Sequence, residues 1–217
     1  ASLAVRKLKE LGTKKAPFFL GVGFFKPHLP FNAPRKYWDL YEESKLPITA
    51  SRDLPEGVNA ASFHNSGEFN SYRLGDEKPS LADPVSDAYA RKLIHAYYAS
   101  VSYVDAQIGK VLDALESNGL SENTIVIVWG DHGWHLGDHR VWGKHTLSDV
   151  ALRSPLIIRM PGMKNPGRVI EKVVSSVDVY PALMDLCNVD IPYATDGQSF
   201  AGLFFGKKGF NRPAVSY

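Results

Sequence analysis

Short, wholly apolar segments constrain the fold of this chain more than any other feature of its sequence. Residues 18–23 and 124–128 consist of hydrophobic residues, glycine and one threonine, without a charged side chain. A strand with one solvent-facing side alternates polar and apolar residues, whereas a strand covered on both faces is apolar throughout. Both segments therefore predict strands in the interior of a sheet. Residues 155–160 predict a third strand, and residues 215–217 the start of another.

A long helix is predicted between these strands. Over residues 87–116, apolar side chains recur at steps of three and four, which is the spacing of one helical face. This face comprises Leu93, Tyr97, Val101, Val104, Ile108, Val111 and Leu115. Shorter helices are predicted over residues 3–12, 35–41 and 178–186, the last one capped by Asp178. Helices that alternate with buried strands predict an α/β fold, a layered sheet with helices on both faces.

Residues 44–83 are the least regular part of the sequence. They are rich in proline, glycine, serine and asparagine and show no helical or strand period. A stretch of about 40 residues without a pattern is typical of a functional surface loop or a partly disordered insertion. We therefore predict a long irregular insertion here.

Composition excludes two classes of partner. The 217 residues carry a formal net charge of +2, which is too small to indicate binding to nucleic acid or to an acidic membrane surface. No apolar run approaches the ~20 residues that a membrane-spanning helix needs. Cys187 is the only cysteine, so no internal disulfide can form, and its expected role is that of a small buried hydrophobic side chain.

The segment of residues 130–139 carries the strongest local signal for a site. It directly follows the predicted strand at 124–128, and open α/β sheets bind ligands beyond the ends of their strands. Asp131 offers oxygen ligands and His132 an imidazole, so the two side chains supply half of a metal site. From spacing alone the alternative is equally open: an aspartate in a turn beside a histidine with ordinary hydrogen bonds.

A group of cationic and imidazole side chains follows this segment. It comprises His135, His139, Arg140, Lys144 and His145, against the single carboxylate of Asp138. Such a group beside a metal site favours an anionic substrate. A solvated basic loop is the alternative.

A second loop, residues 26–31, follows the predicted strand at 18–23. Pro27 and Pro30 restrict its backbone and hold His28 at a defined angle. A lone histidine after a strand is more often structural than catalytic. Here a second strand end carries complementary chemistry, which favours a site that both loops build.

Together these segments resemble the sulfatase family, most closely the iduronate-2-sulfatase type. The resemblance rests on the loop at 26–31, the helical stretch 97–105, the segment 131–139, residues 142–144 and residues 154–157. Their order matches the family's order, and the resemblance runs from about residue 3 to 187. Residues 44–83 match nothing in it.

The resemblance implies an alkaline-phosphatase-like α/β domain that hydrolyses sulfate esters of a carbohydrate with a bound calcium ion. Asp131 and His132 resemble the second pair of metal ligands. Lys144 resembles the lysine that contacts the sulfate and the ester oxygen, and His28 the histidine near the leaving group. Three further residues are expected to bind substrate: Trp134, His139 and Lys26. An exported location is compatible with the resemblance.

Two family features are absent from the sequence. It has no Cys/Ser-x-Pro-x-Arg motif, whose first residue becomes the formylglycine nucleophile, and the residues after Cys187 do not match it. The family's first pair of metal ligands, two adjacent aspartates, is also absent. We therefore expect residues 1–217 to be a single partial sulfatase domain of a longer protein. Alone it should lack sulfatase activity and bind calcium weakly, because it supplies only half of the metal site.

Two other functions fit the same residues. A phosphodiesterase or phosphonate hydrolase of the same superfamily would use a similar site with a different nucleophile. A non-catalytic carbohydrate-binding relative is the third possibility, although a pure binding module has no need for the combination of Asp131, His132, Lys144 and His28.

Overall fold

The computed structural model describes residues 1–14, 16–72, 75, 77–207 and 209–216. The chain divides into two compact units, residues 1–162 and 163–217. That all 217 residues belong to one domain stays a prediction. Within the described ranges, each helix is too short or too polar to cross a membrane.

Helices form most of the regular structure in the first unit. Their bounds are α1 (Ser2–Gly12), α2 (Arg35–Trp38), α3 (Gly67–Ser71), α4 (Asp87–Ser117) and α5 (Asp149–Leu152). The predictions of α1, α2 and the long α4 are confirmed to within a few residues. Helix α4 begins where the Ser86 side chain accepts a hydrogen bond from the backbone N–H of Tyr89 at 3.2 Å. That bond satisfies one of the donors that a helix start leaves free.

Two short antiparallel pairs contain the described strands. Strand β1 (Val126–Trp129) pairs with β4 (Leu156–Arg159), and β2 (His135–Leu136) pairs with β3 (Trp142–Gly143). The positions of the strands predicted at 124–128 and 155–160 are thus confirmed. The predicted interior place of the strand at 124–128 is wrong for the described structure, because β1 has one described neighbour and its residues are only partly buried or exposed. Residues 215 and 216 have no regular structure, and Tyr217 lies outside the described residues.

The predicted buried strand at residues 18–23 is wrong for the described structure. This segment is not assigned to a strand, and Phe19 is 83% exposed. Phe18 and Leu20 pack against the cluster of α1 and α4 that includes Leu8 and Leu115. Helices therefore cover one face of the segment, while no described strand pairs with it, and the intervening side chains remain in solvent.

A core around the N-terminal half of α4 holds together the loops that concern function. Its buried members are Leu29, Phe31, Leu46, Phe69, Val85, Ala90, Leu93, Ile94, Ala96 and Trp142. They come from the loop at 26–31, from the long segment at 44–83, from α4 and from β3, and Val85 lies just before α4. Burying apolar surface from all four parts is what fixes these loops relative to one another.

The segment of residues 44–83 is more regular than its sequence predicts. It contains α3 and the 3₁₀ turn Ala60–Ser62, and another 3₁₀ turn, Glu43–Lys45, spans its start. Phe69 is 1% exposed and anchors α3 in the core. In its described residues the segment is therefore a packed part of the first unit.

The second unit contains α6 (Ser176–Leu186) and a 3₁₀ turn, Ala201–Phe205. Ser175 is the N-cap of α6, and the Asp178 side chain accepts a hydrogen bond from its backbone N–H at 2.9 Å. Asp178 thus closes a capping box from the third helical position, a correction to its predicted place as the N-cap. Cys187 is exposed, so its predicted burial is wrong.

Candidate active site

The loop at residues 26–31 is held by its own lysine. The Lys26 ammonium donates hydrogen bonds to the carbonyl of Pro30 and, at 2.6 Å, to Oδ1 of Asn32. Partial burial lowers the pKa of Lys26. These contacts hold the ammonium group of Lys26 against its own loop. That Lys26 contacts the substrate stays a prediction.

The ring of His28 has a defined orientation. Its Nδ1 lies 2.9 Å from the carbonyl oxygen of Leu29. Because a carbonyl only accepts, Nδ1–H is the donor in this bond, and Nε2 is left for other partners. Leu29 is completely buried, so the carbonyl that orients the ring is itself fixed.

Lys144 reaches the same point from the other loop. It directly follows β3, whose Trp142 is 2% exposed. Its Nζ lies 3.2 Å from Nε2 of His28, although the two residues are 116 positions apart in the chain. The side chain of Lys144 is only 15% exposed. The predicted convergence of these two residues is thus observed in the structure.

Glu68, on α3, is a third member of this cluster that the sequence did not indicate. Its Oε1 accepts a hydrogen bond from Lys144 Nζ at 3.0 Å and lies 3.2 Å from Nε2 of His28. Burial alone would raise the pKa of the Glu68 carboxyl. The hydrogen bond from Lys144 and the charges of Lys144, His28 and His145 outweigh it, so the pKa is below its ordinary value.

Trp134 forms a wall of the cluster. Its ring centroid lies 5.7 Å from Lys144 Nζ, within the range of a cation–π contact, and it packs edge-to-face with Phe31 at 5.9 Å. Its Nε1 is buried without a hydrogen-bond partner among the described residues. The contact of Trp134 with substrate stays a prediction.

Asp131 and His132 lie on the loop after β1. His132 Nδ1–H donates to the carbonyl of Gly133 at 2.6 Å, so the lone pair of Nε2 is available to a ligand. Asp131 Oδ2 lies 3.7 Å from that Nε2, and the aspartate side chain is 85% exposed. The two side chains thus lie close to each other, and their binding of a metal ion stays a prediction.

The backbone of this loop is held against α5. The N–H of Gly133 donates to the carbonyl of Ala151 at 2.7 Å. A Cβ added at Gly133 would lie 2.0 Å from the carbonyl oxygen of Val150, so a side chain cannot fit here. The close approach of two backbones therefore sets where Asp131 and His132 stand.

A calcium ion would find an incomplete set of donors in these residues. Calcium takes about 6–8 oxygen ligands, whereas this loop offers one carboxylate and one imidazole. Among the described residues, no group of three or more histidine, cysteine, aspartate or glutamate side chains is arranged to hold a metal ion. Asp131 and His132 fit two positions in a metal site and do not form one alone.

The remaining cationic residues of the segment 135–145 mostly have structural partners. His135 is completely buried, with Nε2 bonded to Thr146 Oγ1 at 2.8 Å, and burial lowers its pKa. His139 Nδ1 lies 3.1 Å from the Asp53 carbonyl, and Arg140 donates to the Asp53 carboxylate at 2.9 Å. These contacts attach the β2–β3 turn to the long segment. The role of His139 in substrate binding stays a prediction.

Comparison with known proteins decides the family. The profile of the sulfatase family matches residues 2–189. The chain belongs to the sulfatase family. The sulfatase-family assignment made from the sequence motifs is thereby confirmed.

Individual relatives agree with the assignment. The chain is 31% identical to the iduronate 2-sulfatase of Mus musculus over 87% of its own length and 39% of the relative's. It is 30% identical to the choline-sulfatase of Rhizobium meliloti, over 95% of the chain and 40% of the relative. The chain thus spans about two fifths of the length of these curated relatives.

A solved structure supports the fold class. The phosphonate monoester hydrolase from Silicibacter pomeroyi superposes with a TM-score of 0.74 at 30% identity, covering 96% of this chain and 42% of that one. The predicted α/β fold of a sulfatase or alkaline-phosphatase-like domain is confirmed. The described strands are those of one portion of such a domain.

Proposed function

We propose that this sulfatase-family chain carries the leaving-group side of a site that hydrolyses sulfate esters of a sugar. The observation that supports this most is the meeting of Lys144 Nζ and His28 Nε2 at 3.2 Å. These are the two residues whose motifs resemble the sulfate-contacting groups of the family. Since the chain spans 39% of the mouse relative, the activity is proposed for the complete protein that contains it.

Lys144 would act on the charge that develops as the ester bond breaks. When the S–O bond to the sugar breaks, its electron pair moves onto the sugar oxygen. An ammonium group held in a half-buried position stabilises that charge more than it would in water. Its contact with the Trp134 ring and its hydrogen bond to Glu68 keep it in place before the reaction begins.

His28 would supply the proton that the departing oxygen needs. Its Nδ1–H is committed to the carbonyl of Leu29, so Nε2 is the ring atom that can give up a proton. A sugar alkoxide is a poor leaving group and requires protonation, whereas a phenolate does not. The contribution of His28 should therefore depend on the leaving group.

Asp131 and His132 would hold part of a divalent cation site, and further donors must come from residues outside this set. When bound, such a cation neutralises negative charge on the sulfate oxygens. A formylglycine, made from the cysteine or serine of a Cys/Ser-x-Pro-x-Arg motif that this sequence lacks, would be the nucleophile.

The substrate class is argued from charge and from the relatives. Lys144 presents a positive charge, and the neighbouring imidazole of His28 a possible N–H donor, to an anionic group. Among the relatives, one carries the name iduronate 2-sulfatase and another the name endo-4-O-sulfatase. A sulfated uronate or a related sulfated sugar is the proposed substrate.

Hydrolysis of phosphonate monoesters is the second candidate, and the solved structure of the Silicibacter enzyme favours it. Its transition state would use the same cluster, since a phosphonate ester also releases a charged oxygen. The preference of the complete protein for a sulfate or a phosphonate ester separates the two proposals.

The test compares three substrates on the purified complete protein: a 2-O-sulfated uronate disaccharide, 4-nitrophenyl sulfate and a 4-nitrophenyl phosphonate monoester. We expect the highest kcat/KM on a sulfate ester, and none with the isolated 217-residue chain. Preference for the phosphonate would reject the sulfatase proposal. Turnover by the isolated chain above a Lys144→Ala control would show that the nucleophile lies within these residues.

A further inference from the structure

The carboxylate of Glu68 stands between the two groups that the proposed function uses. One oxygen, Oε1, is 3.0 Å from Lys144 Nζ and 3.2 Å from His28 Nε2. The side chains of Glu68 and His28 are each only 26% exposed. The other oxygen, Oε2, is buried without a hydrogen-bond partner among the residues that the structure describes. A half-buried carboxylate that two donors share forms stronger interactions than an ion pair on the exposed surface does.

The geometry gives Nε2 of His28 a partner in each of its protonation states. When Nε2 carries a hydrogen, it can donate to Glu68 Oε1; when it does not, it can accept from Lys144 Nζ, which is also 3.2 Å away. Nδ1 takes no part, because its hydrogen is held by the Leu29 carbonyl. Loss of Glu68 would remove the acceptor for the protonated state only.

The charges of the three side chains also indicate that Glu68 supports the protonated state of His28. A protonated His28 and Lys144 are two like charges in contact, which repel each other. Glu68 supplies the only carboxylate that is described in contact with both. Its negative charge therefore allows the two donors to stand side by side.

Helix α3 does not depend on Glu68 for its position. The backbone N–H of Trp142 donates to Ser66 Oγ at 2.9 Å, and the ring of Phe69 packs on Trp142 at 6.0 Å. Asn70 Nδ2 donates to the carbonyl of Pro79 at 3.0 Å. The charge of Glu68 can thus be changed while the helix keeps its anchors.

We infer that Glu68 is a positioning residue, which keeps the Nε2–H of His28 and the ammonium of Lys144 together and directed at the leaving oxygen. The inference rests on the proposed function, because it assigns Glu68 to the protonation step of that reaction. It gives the long segment at residues 44–83 a role in the site.

The experiment is a double-mutant cycle in the complete protein. The variants are Glu68→Gln, His28→Ala and the two combined, with Glu56→Gln as the matched control. Glu56 belongs to the same segment and is exposed. Each is assayed on a 2-O-sulfated uronate disaccharide and on 4-nitrophenyl sulfate, and thermal unfolding is recorded for each.

We expect Glu68→Gln to lower kcat on the sugar sulfate by roughly 10–100-fold and on the aryl sulfate by much less, with KM within a few-fold. In the His28→Ala background, Glu68→Gln should cause little further loss of kcat on the sugar sulfate, because both changes disable the same proton-donating pair. The Glu56→Gln control should match the unaltered protein. Glu68→Asp should retain part of the leaving-group difference, and it replaces Glu68→Gln if that variant does not fold.

Other outcomes overturn the inference in distinguishable ways. If His28→Ala shows the leaving-group dependence and Glu68→Gln does not, the role of Glu68 is wrong while the proposed function stands. Equal losses on both substrates, or losses that add in the double variant, would make Glu68 merely structural. If neither variant distinguishes the two substrates, the acid role of His28 and the inference both fail.

Discussion

Two groups of polar residues at the candidate site differ in how far this chain completes them. The cluster of Lys144, His28 and Glu68 is mostly enclosed, and each member contacts the other two within 3.2 Å. The pair of Asp131 and His132 is open, with the aspartate 85% exposed. The first group is organised by contacts within the chain, whereas the second leaves the Asp131 carboxylate in solvent. Changes in the cluster should therefore alter stability and rate, and changes in the pair should alter only what it binds.

The largest effect on stability should follow from removing the buried side chain that anchors α3, the helix that carries Glu68. Phe69→Ala deletes a core side chain that is 1% exposed and next to Glu68. Such truncations of buried phenylalanine cost about 3–5 kcal/mol of unfolding free energy. Urea unfolding followed by tryptophan fluorescence measures it. Phe19→Ala, at a side chain that is 83% exposed, is the control and should cost under about 0.5 kcal/mol. Similar losses for both variants would contradict the packing described for α3.

Removing the cation of the cluster should reduce the rate without a comparable loss of binding. In the complete protein we expect Lys144→Ala to lower kcat by about 10²–10³-fold and to leave KM within a few-fold, since its charge matters most in the transition state. Lys144→Arg should restore only part of the lost kcat, because a guanidinium group is wide and planar whereas an ammonium group is a compact point charge. Steady-state kinetics measure this, with the exposed Lys110→Ala as the control. An unchanged kcat with a raised KM would make Lys144 a ground-state binding group.

The cluster should also make stability sensitive to acid. The pKa of Glu68 is lower in the folded chain than its ordinary value of 4.5. Its contribution to stability is therefore fully present above that value and is lost as pH falls through the lowered pKa. We expect Glu68→Gln to cost about 1–3 kcal/mol at pH 7, with the difference narrowing below pH 4.5. Unfolding free energies at pH 7, 5, 4 and 3 would show this. A difference that stays constant over this range would mean that the carboxylate is not stabilised in its charged form.

The smallest effect on the fold should come from the exposed pair. We expect Asp131→Ala to change the unfolding free energy of the 217-residue chain by less than about 0.5 kcal/mol. Calcium titrated into the unaltered chain should give weak or undetectable binding, because two donors are far from the ligand number that calcium needs. Isothermal titration calorimetry measures this. Micromolar affinity that disappears in Asp131→Ala would show that the chain completes the site after all.

The sequence predicted what local patterns and motifs can encode. Helix α4 and strand β1 follow from periodicity and from an apolar run, and Lys144 and His28 follow from two motifs at the ends of apolar segments. Glu68 could not be predicted, since its contacts join residues 76 and 40 positions apart, and nothing in its neighbourhood has a period or a motif. A buried phenylalanine beside an acidic residue in an irregular segment is too common a pattern to indicate a site.

The wrong predictions have a common physical cause. An apolar run shows that a segment prefers burial, but it does not show which elements are available to cover it. Phe18 and Leu20 are covered by helices, while Phe19 faces solvent because no described strand pairs with the segment. Burial of Cys187 was predicted from residue type alone, and its position at the end of α6 leaves it exposed.

The tight backbone contact at Gly133 has a consequence for how this sequence can vary. A methyl group at that position would overlap the carbonyl of Val150, so the whole segment before α5 would have to shift. A Gly133→Ala variant would then look like a loss of the neighbouring Asp131 and His132 in any activity screen, although neither side chain had been altered. Inherited or laboratory variants at this glycine should therefore be classed with defects of loop placement, and a null phenotype there says nothing about metal chemistry.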